Sequence, residues 1–391
     1  MRPAIYLSPT KESTALRGHP WIFPKAIART QGSLKTGQLV DIYTSKAQPF
    51  ALGIYNEHSL YRVRILAYHR ELEQANTTLN SIIELRLQQA WRLRQNLGFP
   101  NSATNAFRLL NSEADGLSGL TLDYFNGDIA VSSSAYWVME HQAMIEDSIK
   151  KIIPCKDVFW FPQLKPLKQD GWHEIQDNVY ERSVEVLEAG VRFKIDFHQT
   201  QKTGLFLDQR DNHQRIAALA QGKKVLDLYC YTGGFALHAG KAGATVVTAV
   251  DSSEPAILQA RINVALNQLK NVNCIVDDAR LYLENAKDYD LIILDPPKLI
   301  PSKHNLEKAK NYYRFLHREL FKHMRSGSLL MTCNCSSAIN PNDFAMLVSM
   351  QASAMEKQVR ILGVYGPAIC HPISASFPEG NYLTAVLLAV I

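Results

Sequence analysis

The chain has 391 residues, of which 46% are hydrophobic and 20% charged, with a formal net charge of +5. This length exceeds one ordinary core and predicts two or three domains, and the composition excludes a disordered or low-complexity chain. No apolar run reaches the ~18 residues of a membrane helix, and the N-terminal MRPAIYLSPTKES has no signal-peptide apolar stretch, so a cytoplasmic protein without membrane association is expected.

The charge is unevenly placed. Residues 1–72 hold ten Lys/Arg against four Asp/Glu, a local +6 on an otherwise nearly neutral chain. Such a patch suits a small module that touches a polyanion, although a solvated basic face would look the same. GQLVDIYT (37–44), PFALGIYN (49–56) and LYRVRILAY (60–68) predict short strands of a small barrel. In YRVRIL the alternation places Arg62 and Arg64 on one face, expected outward, with Val63 and Ile65 on the other.

Residues 73–190 predict a middle α+β domain. Apolar residues at 79, 82, 83, 87, 90, 93 and 97 mark a helix over 77–97, capped by Thr78 or Asn80 and stopped by Gly98-Phe99-Pro100. FRLLNSE, LTLDYF and DIAVSSS read as strands, EADGLSG as a turn, and a helix is expected near 136–150.

The last segment, 191–391, changes character. KKVLDLY, ATVVTAVD, VNCIVDD and YDLIILDPP are buried-type strands separated by helical stretches, the pattern of a doubly wound, mainly parallel α/β sheet. Such sheets bind ligands at the carboxyl ends of their strands. Asp227, Asp251, Asp278 and Asp295 are expected to close the four strands, with Thr232-Gly233-Gly234 turning after the first. The turn lacks G-x-G-x-x-G and the P-loop Gly-Lys-Ser/Thr, so a dinucleotide or a cradled phosphate fits poorly. Four acids suit a cofactor with a positive charge and hydroxyls but no phosphate, which describes S-adenosylmethionine. Asp251, 24 residues after Asp227, is placed for ribose hydroxyls.

LLMTCNCSSAI (329–339) holds Cys333 and Cys335. A C-x-C without a second pair predicts no metal site, and six cysteines in so long a chain predict reduced thiols. Cys333 is expected to end the apolar strand and pack. Cys335 is expected in the polar loop that opens into the crevice.

LDLYCYTGGFALHA, VDSSEPAILQARINVALN and LDPPK resemble class I S-adenosylmethionine-dependent methyltransferases, and more narrowly the bacterial 23S rRNA (cytosine-5)-methyltransferases with an N-terminal PUA domain. RGHPWIF (17–23), YNEHSLYRVRIL (55–66), EADGLSGLTLDYF (113–125), QKTGLFLDQRDNH (201–213) and FPEGNYL (377–383) extend the resemblance along almost the whole chain. It implies a Rossmann-like domain over 191–391 behind a PUA-like module, and methylation of cytosine C5 in ribosomal RNA. Cys335 is implied as the nucleophile and Asp295 as the acid beside the base. Phe206, Arg210, Tyr229, Ser252 and Ala279 are implied to join the strand-end acids and Thr232, Gly233 and Gly234 around the cofactor, and Arg17, Trp21, Arg62, Arg64 and Lys298 to meet RNA. The chain departs from its relatives at Cys370, where an acidic residue is common, and at Thr384, where lysine is expected. A homodimer is compatible with this reading, for which the sequence carries no direct signal. The rivals are a guanine or uracil methyltransferase with Cys335 incidental, and a catalytically degenerate RNA-binding protein.

Overall fold

A computed structural model describes residues 2–71, 77–174, 179–198, 205–298 and 306–391. The expected boundary at 72/73 and the QKTG of the lead-in segment lie outside the described residues. Among the described residues, no helix is long and apolar enough to cross a membrane.

The N-terminal part is a six-stranded mixed sheet containing Leu39–Tyr43, Pro49–Tyr55 and Val63–Tyr68, close to the strands expected there. Gly53 is required where two of these strands press together, since a Cβ would lie 2.7 Å from the Arg64 carbonyl oxygen. The alternation in Val63–Tyr68 is real, but both faces are covered. Val63 and Ile65 enter the core of this sheet, whereas Leu66 joins a larger core with Ile82, Ile83, Leu87 and Leu122.

Arg64 shares the Leu66 face, which corrects the expectation that it points to solvent. It is 5% exposed. Its Nη1 donates to Ser118 Oγ (2.9 Å) and its Nη2 to Asp170 Oδ1 (3.3 Å), with Glu113 3.9 Å away. Alternation separates two faces without saying what covers the second. Trp21, whose aromatic ring suits either core packing or stacking on a base, packs. Its indole N–H reaches Ser118 Oγ (3.1 Å) and Glu113 (3.3 Å), and its ring stacks on Tyr61 at 3.8 Å, so it is fixed packing between two sheets.

The helix of the middle part runs over Leu79–Asn96, and Thr78 caps it through a reciprocal pair with Ser81. It packs on a four-stranded sheet ordered Val158–Pro162, Asp128–Ser133, Leu120–Phe125, Ala106–Asn111. A hairpin, Ser183–Glu188 with Val191–Asp196, leads into the last part.

There, seven strands lie in the order Val272–Val276, Val246–Asp251, Lys224–Leu228, Leu291–Leu294, Leu329–Asn334, Thr384–Val390, Val359–Tyr365. The first five are parallel; Thr384–Val390 is antiparallel to both its neighbours, so Val359–Tyr365 runs in the direction of the first five. Leu226, Leu228, Ile292 and Leu294 face one core, and Val225, Ile293 and Met331 face the other. Helices covering both faces explain why these strands read as continuous apolar runs. The chain order reverses direction beside Lys224–Leu228, which opens a crevice at the carboxyl ends there.

Candidate active site

The expected acids converge on that crevice. Asp227 is the penultimate residue of its strand, Asp251 the last of the next, and Asp295 follows Leu294 directly. Asp278 is a correction. Its strand stops at Val276, and the Asp278 carboxylate caps the following turn and clasps Arg280 at 2.9 Å.

The turn after the central strand is held tightly. Tyr229 and Tyr231 adopt φ of 66° and 50°, a left-handed conformation uncommon for bulky residues, and Gly233 (φ 90°) opens the helix Gly234–Lys241. The Tyr231 and Ser253 amides donate to the two oxygens of Asp251 (3.0 and 2.8 Å), which fixes its carboxylate at the rim. Each oxygen keeps a lone pair for a further donor. Asp227 is fully buried, and its Oδ2 accepts from the Ala236 amide (3.0 Å) while its Oδ1 has no hydrogen-bond partner among the described residues. Burial, then the negative charges of Asp295 and Asp251, push its carboxyl up to about 8.

An orphaned buried oxygen among three carboxylates is a place for a cation. S-adenosylmethionine meets that need, bringing a sulfonium, an ammonium and a ribose diol. Asp227 and Asp251 have acceptor lone pairs that could hold such a group, and the turn beside them opens at Gly233. Phe206, 41% exposed, stands edge-on to Tyr231 at 4.9 Å and makes an aromatic wall at the same end. Ser252 is exposed and Ala279 buried in the neighbouring turns. Arg210 is corrected as a cofactor contact. It is 1% exposed, its guanidinium held by Asp211 (3.0 Å), the Cys370 sulfur (3.3 Å) and the Phe99 face (4.3 Å).

At the other end of the crevice, strands Leu291–Leu294 and Leu329–Asn334 run side by side with Leu294 opposite Thr332. This register brings Asp295 against Cys333, whose thiol touches its carboxyl. The ladder runs one residue beyond Cys333, to Asn334, and Cys333 is fully buried with its thiol pushed well up by burial. Cys335 lies just past the strand and is only half-buried, as the apolar-to-polar switch in the sequence predicts. Asn334 shapes that loop by donating to Ser336 O (3.0 Å) and accepting from Tyr313 Oη (3.3 Å). The Tyr313 phenol is pushed up by burial and by Cys335, Asp295 and Cys333, so these groups share one neighbourhood.

Burial, then the charge of Asp208, raises the Asp295 carboxyl to about 7. Gln209 Nε2 donates to Asp295 Oδ2 at 3.0 Å. Gln209 lies within the motif QKTGLFLDQRDNH, but nothing in the sequence links it to Asp295, because the contact spans 86 positions. Nor does the spacing of Glu188, His213 and His238 suggest a group. In the fold all three are buried with their ligand-type atoms within 4.8 Å of one another, His213 Nδ1 lying 2.6 Å from Glu188 Oε1. This group stands directly behind the glycine turn, since a Cβ on Gly234 would meet His213 at 2.5 Å. Of the expected RNA contacts, Arg17 and Lys298 are exposed and Arg62 is half-buried.

The model of the S-adenosylmethionine-dependent methyltransferase family matches residues 170–362, and that of the PUA-like domain matches residues 5–68. Ribosomal RNA large subunit methyltransferase I of Alteromonas mediterranea is 32% identical over all of this chain and 99% of its own length. Its counterpart in Aeromonas hydrophila subsp. hydrophila is 33% identical over 99% of each chain. Among solved structures, SMU.776 complexed with SAH superposes with a TM-score of 0.82 at 19% identity, covering 99% of this chain and 100% of its own.

Proposed function

From the premise that the chain belongs to the ribosomal RNA large subunit methyltransferase I family, with PUA-like and S-adenosylmethionine-dependent methyltransferase domains, we propose that it methylates C5 of a cytosine in large-subunit, 23S ribosomal RNA through a covalent bond from Cys335 to C6. One observation carries this reading. Adjacent parallel strands end in a buried carboxyl raised to about 7 and, beyond a packed cysteine, in a second, half-buried cysteine.

S-adenosylmethionine supplies an electrophilic methyl group on a sulfonium. The protein's task is to make C5 nucleophilic. The Cys335 thiolate forms a bond to C6, the C5=C6 π bond breaks, and the electron pair moves toward N3. Asp295, raised to about 7 and so protonated in a large fraction of molecules near neutral pH, donates its proton at N3, which leaves C5 as an enamine carbon. After methyl transfer, a base takes the C5 proton, the freed electron pair restores the C5=C6 bond and expels the thiolate, and N3 returns its proton to the Asp295 carboxylate. Only a base swung out of its stack meets both groups at once. Exposed Arg17 and Lys298 are assigned to the RNA backbone, and the cytoplasm is the expected location. The oligomeric state, including a homodimer, does not enter this chemistry.

Asp251→Ala removes the acceptor assigned to the ribose diol. Its loss is expected to weaken S-adenosylmethionine binding by about 1.5–3 kcal/mol, roughly 10- to 150-fold. Calorimetry showing unchanged affinity would remove Asp251 from the site.

Cofactor affinity is also expected to depend on pH through Asp227. In the free protein its carboxyl titrates near 8. A bound cation favours the ionised form, so binding expels a proton below that value. Affinity should therefore rise as pH increases toward about 8 and level off above it. Titrations in buffers of different ionisation enthalpy read the released proton directly. Asp227→Asn should flatten the profile; an equal slope in wild type and variant would assign the proton elsewhere.

A further inference from the structure

Asp295 has two oxygens, and the proposed chemistry needs its proton on one of them. The neighbouring hydrogen bonds decide which. An amide side chain can be placed either way round, so Gln209 by itself leaves the question open. The ambiguity is removed three links away. Arg215 has only donors, and its Nη1 lies 3.1 Å from Asn212 Oδ1, so Asn212 accepts there. Asn212 then presents Nδ2 to Gln209 Oε1, at 2.6 Å. Gln209 in turn presents Nε2 to Asp295 Oδ2, at 3.0 Å. Asn212 is fully buried and Gln209 is 4% exposed, so water does not compete for these groups.

We propose that Arg215, Asn212 and Gln209 form a one-directional hydrogen-bond relay that keeps Asp295 Oδ2 an acceptor and holds the carboxyl's proton on Oδ1. This rests on the role given to Asp295 above. Gln209 is a positioning residue that acts through Asp295 and does not touch the base. The relay also sets how readily the proton leaves. A donor to Oδ2 favours the carboxylate, and Gln209 opposes the upward push from burial and from Asp208. The other groups near Asp295 are His213, Asp227, Cys333 and Tyr313. Of these, Cys333 also hydrogen-bonds the Asp295 carboxyl and meets Gln209, so its thiol belongs to the same cluster. The Arg215 guanidinium lies over the Tyr365 ring at 4.2 Å, which anchors the far end of the relay.

Two variants of the full-length protein test this. Gln209→Leu removes the donor. N212D keeps the shape but puts an acceptor against Gln209 Oε1, so the amide must turn over and offer its oxygen to Asp295. At saturating cofactor and RNA, both variants are expected to lower kcat, on the order of a hundredfold for a misplaced acid, with KM for RNA unchanged. Both should also move the alkaline limb of the kcat–pH profile to higher pH, because the carboxylate has lost a stabilising donor. Circular dichroism confirms folding, and if Gln209→Leu does not fold, N212D carries the test alone. A limb that stays in place in the folded variants overturns the relay. Asp295→Asn separates the two ideas. Wild-type turnover in that variant overturns the Asp295 reading itself, whereas its loss alongside an unmoved limb overturns only the relay.

Discussion

Replacing Cys335 with alanine is expected to abolish methylation of large-subunit rRNA, together with the covalent complex that RNA carrying 5-fluorocytosine should form with the native protein. The fluorine occupies the place of the C5 proton, so the intermediate cannot collapse after methyl transfer and survives a denaturing gel. Without the thiolate, C5 is never activated and no adduct arises. Cys333→Ala should retain both products. Cys333 is fully buried at the penultimate position of its strand, where loss of a small side chain costs about 1 kcal/mol. Its thiol touches Asp295, so the rate should change modestly while the adduct persists. S-adenosylmethionine binding should survive Cys335→Ala, since Asp227 and Asp251, the acceptors proposed for the cofactor, are untouched. Adduct lost only in Cys333→Ala would mean that the other cysteine is the nucleophile. Full activity with both replaced would dismiss the C6 adduct and favour a guanine substrate.

The second large effect is on stability. Arg64→Ala should destabilise the protein by about 3–5 kcal/mol, the usual result of removing one partner of a buried ion pair. Asp170 and Glu113, with side chains 5% and 14% exposed, would lose their cation, and Ser118 would lose its donor. Arg17→Ala, on an exposed side chain, should stay within about 0.5 kcal/mol. Denaturant melts measure both. Near-equal midpoints would mean that Arg64 is solvated after all, and would restore it as a surface contact for RNA. The same interface argues against testing RNA binding by deleting residues 1–72. Leu52, Ile54, Leu66 and Ala67 belong to a core shared with Ile82, Leu110 and Trp137, so the cut would open it. Neutralising Arg17 and other exposed basic residues is the cleaner experiment, with the salt dependence of binding as its readout.

These two predictions separate what each level of description determined. The alternating apolar runs after residue 220 determined a parallel sheet. Chemistry in such a sheet gathers at strand ends, so Asp227, Asp251 and Asp295 were legible without coordinates. The order of the cysteines was legible for the same reason, since the run LLMTC is apolar and the residues after it are polar. All of this is local information, carried by the periodicity of neighbouring residues along one element. What covers the outer face of the strand Val63–Tyr68 is not local, and alternation alone sent Arg64 to the wrong environment. Arg210 looked available for a ligand because its segment leads into the methyltransferase fold, yet its charge is consumed by Asp211 and by Cys370, 160 positions away. Gln209, which contacts Asp295 across 86 positions, and His213 and His238, which meet Glu188, lie within resembling motifs, yet nothing in the sequence showed which partners they meet. Side-chain hydrogen bonds between distant elements leave no period in a sequence. Only the packed structure brings their ends within the ~3 Å at which a donor meets its acceptor.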